Sequence, residues 1–514
     1  MIKRIVAPMT AAILALAGTA LAAEFQPFGA LGIGGAGVAR TTNAMAGYWN
    51  PAGLAFNEKT VSVPIAVGTG LRVSSGLADN VDRLSKFTEG SPSTLDNLKN
   101  INTSAVNAQA LGDIVSLLSV IKDIETQKGT ISLGGNAVVA AQVNHFSFGA
   151  FGTIEGFAKP ESDLVNVLPS GSSGTTALTT TEFANLAAAP GDTVATSNLF
   201  FTDAQVRSGI YDSLRANGFD DLQANNIINA MDARLATTDG LTQQQAADVL
   251  TNTVVPAFTS GGSIDNNQTS VMVKSLAYFE FPISYGHPID LGKYGKLGVG
   301  ASLKPIKGRV YASKLRLVEG DSVDSGNITD NLDKNYVESS SVTIDLGAFY
   351  KYQIWSVGLV AKNLTSPKFD APDLKDQNGQ FVLDGSGNHV KTDKVTLKPQ
   401  VRLGVAVDPL SWLTLAADLD LTSNETVLSS LDYKSRHFGG GAELHPLTWL
   451  KLRLGMYKNL SNDDIGPVAT GGVTIGTKWV NFDIDGAYGL ETAKYKESDY
   501  PKEARVQAAL NIQF

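Results

Sequence analysis

From Val401 to Phe514 apolar and polar residues alternate with a period of two. Leu413, Leu415, Ala417, Leu419 and Leu421 share one face, with Thr414, Ala416, Asp418 and Asp420 on the other. At the end of the chain Val506, Ala508, Leu510, Ile512 and Phe514 oppose Arg505, Gln507, Ala509, Asn511 and Gln513. Successive side chains of a strand point to opposite faces, so each segment predicts a half-apolar strand. A soluble sheet covered on one side carries the same pattern. Seven such strands of ~9–12 residues, with very short connectors at every second junction, point instead to a transmembrane β-barrel.

The same alternation occurs upstream at TVSVPIAVGTGLRV, ISLGGNAVVAAQV, HFSFGAFGTIEGF, SVMVKSLAYFEFPISYG, KLGVGASLKPIKGRVY, SVTIDLGAFYKYQ and IWSVGLVAKNL. The chain therefore predicts an all-β fold, an antiparallel barrel of about 14 strands, with 12 and 16 the neighbouring even counts. Short connectors fall at Asn144, Gly286–Tyr294, Gln353–Ile354, Asp408–Ser411, His445–Thr448 and Val480, and longer ones alternate with them. An even count puts both termini on the short-turn side, as periplasmic delivery requires. Trp355, Trp412, Trp449 and Trp479 all sit at the short turns, where an interfacial aromatic girdle belongs.

Two long connectors change period. In 74–129 and 160–269 the spacing turns helical: LADNVDRLSKF, STLDNLKNI and LGDIVSLLSVIKDI in the first, then FTDAQVRSGIYDSLRANG, LQANNIINAMDARLA and LTQQQAADVLTNTVV in the second. Thr202 with Gln205 and Thr242 with Gln245 have capping-box spacing. Both stretches are expected to be partly helical extracellular loops inserted into a barrel spanning 59–514. The second also fits a small helical domain.

The N-terminus has two parts. Residues 1–22 have the anatomy of a cleaved secretory signal: Lys3 and Arg4, an apolar core, then Ala20-Leu21-Ala22. Residues 23–58 are rich in Gly and Ala without strand period, too apolar for a disordered tail and too glycine-rich for a stable helix. A compact plug packed inside something larger fits them.

Composition narrows the chemistry. A formal charge of −9 over 514 residues argues against nucleic acid as a partner, since phosphate binding needs a basic face. The absence of cysteine excludes disulfides, thiolate metal sites and Cys nucleophiles. With the apolar face assigned to lipid, Arg402, Asp418, Asp420, Glu443, Lys451, Arg453, Lys478, Asp483, Asp485 and Arg505 face the lumen. Opposite charges on adjacent strands can pair there. A mixed lining does not make the single-sign constriction of a selective channel.

No cofactor, metal or catalytic site is expected. His145, His287 and His445 fall at short turns, His389 in a loop, and His437 near the external end of a strand. Ser435 and His437 share a face but lack an orienting third group. GIGGAG at 32–37 lacks the preceding strand of a phosphate loop. Asp373, Asp376, Asn378 and Asp384 fail an EF-hand register and read as a solvated hairpin.

The segment ARTTNAMAGYWNPAGLA, with Asn50, Pro51 and Ala52, resembles the start of the FadL/TodX family of outer-membrane proteins for hydrophobic compounds. There an Asn-Pro-Ala turn belongs to a hatch inside a 14-stranded barrel. The Gly/Ala-rich lead-in and the terminal Phe514 agree. The DPLSWL and HPLTWL turns and the early insertion look closer to FadL-like barrels labelled conjugal transfer protein TraF. The resemblance implies passive uptake of hydrophobic small molecules, of long-chain fatty-acid or aromatic-hydrocarbon type, with sideways exit into the outer-membrane lipid at the third strand. Gly149, Gly152 and Gly156 lie there, and glycine weakens strand pairing, though they can equally relieve crowding in a curved wall. Phe514 resembles the C-terminal signal read by the barrel-assembly machinery. The family's capture helices come from later loops than the insertions of this chain. A structural or interaction barrel tied to conjugation is the alternative, and a lipid-acting enzyme a third.

Overall fold

The computed structural model describes residues 26–57, 60–74, 115–123, 130–164, 166, 200–236, 241–256, 268–316, 334–376, 378–425, 434–495 and 498–514. The expected signal at 1–22, the helices at 77–87 and 93–101 and all of 167–199 lie outside them. Fourteen antiparallel strands close into one barrel. They are β1 (Val61–Val73), β2 (Ile131–Val143), β3 (Phe146–Glu161), β4 (Ser270–Glu280, resuming as Ile283–Asp290), β5 (Lys296–Arg316), β6 (Tyr336–Tyr352) and β7 (Trp355–Lys362). The second half is β8 (Gln400–Leu410), β9 (Leu413–Asp420), β10 (His437–Leu447), β11 (Leu450–Asn459), β12 (Pro467–Gly476), β13 (Val480–Gly489) and β14 (Glu503–Gln513). β14 pairs with β13 on one side and β1 on the other, so the sheet has no open edge.

The outer surface carries Ile65, Val139, Phe148, Phe279, Leu346, Leu359, Leu454, Phe482 and Leu510, all more than a third exposed. Inward neighbours such as Asp345, Asp418, Arg453 and Gln507 are buried. An apolar exterior around a polar interior is stable only when lipid replaces water outside. The four short-turn tryptophans are 46–52% exposed, half in and half out as interfacial indoles are. Among the described residues no helix is long and apolar enough to cross a membrane. The folded barrel should migrate differently on a gel before and after boiling and fractionate with outer membranes. Recovery as soluble periplasmic protein would overturn this architecture.

The fourth strand runs past Gly286 to Asp290, so its connector shrinks to 291–295. Pro288 hid this extension. Beyond Tyr285 the strand pairs only with β5, and an edge position tolerates proline.

The described parts of the two insertions share one core. Residues 115–123 are helical and pack Val115 and Leu118 among α2 (Ala204–Ala216), α3 (Asp221–Leu235) and α4 (Gln243–Val249); α1 is the four-residue helix Ala46–Trp49. Lys122 pairs with Asp248 across the two insertions and holds that carboxyl below its usual range. The Thr242–Gln245 capping box forms. α2 is instead capped by Asp203, whose carboxylate accepts from the Gln205 and Val206 amides, while Thr202 accepts from Gln243. Only one residue can occupy the cap position, and Asp is the stronger acceptor.

Residues 26–57 lie inside the barrel. Phe28, Ile33, Val38, Trp49 and Leu54 are fully buried. The segment approaches the wall so closely that side chains there would collide with its backbone. A methyl group at Gly298 would lie 2.6 Å from the Ala52 carbonyl, and one at Gly286 2.7 Å from the Pro51 carbonyl.

Candidate functional site

Asn50 is fully buried at the junction of α1 and a 3-10 helix, Pro51–Phe56. Its Oδ1 accepts from the Ala52 amide (3.1 Å), and its Nδ2 donates to the carbonyls of Val38 (3.3 Å) and Ala348 on β6 (3.0 Å). An amide side chain offers both donor and acceptor, so one residue caps the helix and ties it to the wall. Pro51 occupies the first helical position, where its missing N–H is no loss. Ala52 is small enough to lie over Gly298 and Gly300.

The glycines of GIGGAG make a tight turn against β10–β12. Gly34 and Gly35 have φ of 69° and 74°, and Gly34 donates to Thr470 (3.1 Å). Further along, the Gly37 and Val38 amides donate to Asp418 at 2.9 and 3.0 Å. Arg40 pairs with Glu443 at 2.8 Å.

β3 is paired with β2 along its inner length, from Phe146↔Val143 to Ala158↔Ile131. Its ladder with β4 lacks two rungs, where Gly149–Ala150 face Phe281–Pro282. A methyl at Gly149 would lie 2.8 Å from Ala140 Cβ, and one at Gly152 2.7 Å from the Phe279 ring. Both glycines are covered by neighbours, and Gly156 pairs within both ladders. Behind the missing rungs Phe28, Tyr48 and Phe151 form an aromatic cluster with centroids 4.6–5.5 Å apart.

Arg453 is the hub of the lumenal charges. It contacts Glu443 at 2.7 Å, Asp485 at 2.8 Å and Asp483 at 2.9 Å. The last two lie two strands away on β13: Asp485 is reached across Gly472 of β12, where no side chain intervenes, and Asp483 beside Thr474, which bonds to both Arg453 and Asp483. Arg402 pairs with Asp420 at 2.6 Å, and Arg505 with Glu503 at 2.6 Å. Lys451 is 3.9 Å from Glu443 and partly exposed. Lys478 does not face the lumen: it lies in the exposed β12–β13 turn, its ammonium 4.8 Å from the Trp479 ring centroid. The turn begins at Thr477, so the alternation that assigned it inward stops one residue earlier.

Beneath residues 26–57, at the short-turn end, lies a polar cavity of about 520 Å³ lined by Arg40, Lys351, Asp408, Glu443, His445 and Asp483 among others. At the opposite end one lumenal patch is apolar. Phe157 of β3, Leu276 and Tyr278 of β4, and Ile306 and Val310 of β5 meet Phe369, Val395 and Leu397 from the β7–β8 connector. Sequence reasoning missed this patch, because the connector's apolar residues are scattered among charges.

The other candidates have local roles. His145 contacts the Leu54 carbonyl (2.9 Å), His287 sits in β4 beside Tyr285, and His445 bonds Glu443 (2.8 Å). His389 pairs with Asp373 at 3.2 Å. Ser435 belongs to a two-rung hairpin with Asn424, and the His437 ring packs edge-on to Tyr457. Asp376 and Asp384 accept amides of their own turns, and amides from Asn388 and Ser386 hold Asp384 below the usual carboxylate range. Among the described residues no acidic or histidine cluster is arranged for a metal ion.

The family described as "F plasmid transfer operon, TraF, protein" matches residues 47–420. The chain belongs to this family. The match begins beside Asn50-Pro51-Ala52 and runs through both insertions to the end of β9. No curated protein matches the chain. Among solved structures, the Ralstonia pickettii toluene transporter TbuX is similar over 95% of this TraF-family chain and 98% of its own, at 13% identity and a TM-score of 0.43. The P. putida toluene transporter TodX covers 94% and 97%, at 12% identity and 0.40. A Pseudomonas aeruginosa FadL homologue covers 93% and 95%, at 8% identity and 0.37.

Proposed function

We propose that this TraF-family barrel sits in the outer membrane of a Gram-negative cell and passes small hydrophobic compounds by diffusion, without catalysis. One observation carries the reading. Buried charge lies on most strands of the described lumen, β3–β5 included (Glu155, Lys274, Glu280 and Lys304), yet an apolar patch is set among them there, and β3 and β4 also share the missing rungs at Gly149 and Pro282. An apolar solute gains by entering that patch and loses by crossing buried charge. The polar cavity on the short-turn side makes straight passage to the periplasm unfavourable, which supports sideways exit past Phe28, Tyr48 and Phe151. Residues 23–58 then act as the hatch, with Asn50, Pro51 and Ala52 holding it to the wall. Phe514, whose amide donates to the Val61 carbonyl (2.9 Å) beside the Trp479 ring, is suited to recognition by the barrel-assembly machinery.

Deleting the gene should slow uptake of toluene-like hydrocarbons or long-chain fatty acids severalfold, and Pro282→Val, which restores a ladder donor, should do the same to the complemented strain. Unchanged uptake across both compound classes would sink the reading. The family description and the shared core of the two insertions favour a second: a barrel whose helical cap docks a conjugation partner. A mating defect with normal uptake would select it.

A further inference from the structure

The outer surface of the wall changes character at one level on β5 and β6. From the short-turn end its outward residues are apolar, with Leu303 on β5 and Leu346, Ile344 and Val342 on β6 all exposed. Beyond Pro305 and Ser340 the next outward positions are charged: Lys307, Arg309 and Glu338. At the other end of β6, Tyr352 pairs with Trp355 in the short-turn girdle. At about 3.3 Å per residue and a tilt of about 40°, the strand climbs roughly 35 Å from Tyr352 to Glu338. The apolar band of such a barrel is about 25 Å tall. The three charges therefore stand at the level of the outer-leaflet head groups.

Glu338 sets the two cations side by side. Its Oε2 accepts from Arg309 Nε at 2.9 Å, and its Oε1 lies 2.8 Å from Lys307 Nζ. The Arg309 guanidinium is also held 4.6 Å over the Tyr336 ring, and Tyr311 is a further partner. One carboxylate orients two cations, so the group keeps one positive charge in excess. The Lys307 and Arg309 side chains remain 58% and 45% exposed on the lipid side. Below them the surface is hydrocarbon. Phe279 lies opposite Lys307 on β4, its ring stacked on Phe281, and Ile283 lies opposite Leu303.

We propose that Lys307 and Arg309 seat a phosphate monoester of an outer-leaflet glycolipid, whose acyl chains lie over Phe279, Phe281, Leu303 and Val342. Cations beside a membrane attract anionic head groups. A phosphate monoester is close to doubly charged and accepts from both cations at once, and such charge-assisted contacts are the strong ones. The phosphodiester of an ordinary phospholipid carries a single charge and gains less. The seat rests on the outer-membrane placement proposed above, and not on the passage of solutes.

The test is native mass spectrometry of the full chain, delipidated in detergent. It is titrated with bisphosphorylated lipid A, with the same lipid stripped of its phosphates, and with phosphatidylglycerol. The wild type should hold bisphosphorylated lipid A at least about tenfold more tightly than either of the others. Lys307→Ala with Arg309→Ala should erase that preference while the protein still shifts on a gel after boiling. Glu338→Gln keeps both cations, removes the competing carboxylate and should sharpen the preference. Equal retention of the three lipids by the wild type, or an undiminished preference in the double variant, would overturn the proposal. So would displacement of the lipid by inorganic phosphate, which would assign the two cations to the free anion. Binding without hydrocarbon uptake leaves the seat standing and removes the transport reading alone. Recovery from the soluble periplasm would remove the membrane placement, and the seat with it.

Discussion

Gly300→Val should drive the 3-10 helix Pro51–Phe56 off the wall and turn a closed barrel into a leaking one. A Cβ at position 300 falls on the backbone of Pro51 and Ala52, and a peptide group cannot rotate aside as a side chain can. Gly286 and Gly298 close the neighbouring positions against Leu54, Ala55 and Ala52. Undocking exposes Leu54, whose burial is worth about 1.5–3 kcal/mol. It also leaves Asn50 without the Ala348 carbonyl, a contact of about 0.5–1.5 kcal/mol. Conductance of the purified barrel in planar bilayers should rise, and cells should become sensitive to large hydrophilic antibiotics. Gly385→Val, in an exposed hairpin with open space around it, is the control. Conductance equal to the control would show that residues 50–56 are not what closes the lumen.

The second large effect is on stability. Arg453→Met should strip the only cation within hydrogen-bonding reach of Asp485 among the described residues, and leave Asp483 with the neutral donors Thr474 and Asn511. Removing one member of a buried ion pair typically destabilises by about 3–5 kcal/mol, because the remaining charges keep their desolvation without compensation. Glu443 retains Arg40 at 2.8 Å, so the loss falls mainly on β13. Urea unfolding from lipid vesicles should show a lower midpoint with an unchanged slope. Adding Asp485→Asn should recover part of it, since the two sites are coupled. A midpoint indistinguishable from wild type would mean that water reaches and screens this network.

The wall was legible because period-two alternation is a local property: each of the fourteen strands displays it in its own residues. Most turns followed, as did those helices of the insertions that lie in the described residues, whose 3.6-residue spacing is equally local. The Gly/Ala run before Asn50 signalled a compact plug packed inside something larger, although which wall glycines receive it depends on contacts hundreds of residues apart. Two things escaped for physical reasons. Pro288 disguised the end of β4, since an edge residue needs no ladder donor. The descent of Phe369, Val395 and Leu397 into the mouth is a tertiary event, and their neighbours Lys368, Asp370, Lys394 and Lys398 give that stretch the composition of a solvated loop. The lumenal charges were assigned by parity alone, which fails once a turn begins, as at Lys478.

The N-terminal segment precedes β1, and β1 is hydrogen-bonded to β14. Gly34, Gly37 and Val38 bond to β9 and β12, and Asn50 to β6. The segment thus reaches strands from both halves of the wall. A barrel whose β1–β14 seam closed first would have to take the segment in through its short-turn end, past Arg40, Asp408 and Glu443. Filling of the lumen and closure of the seam are thereby tied to one another in biogenesis.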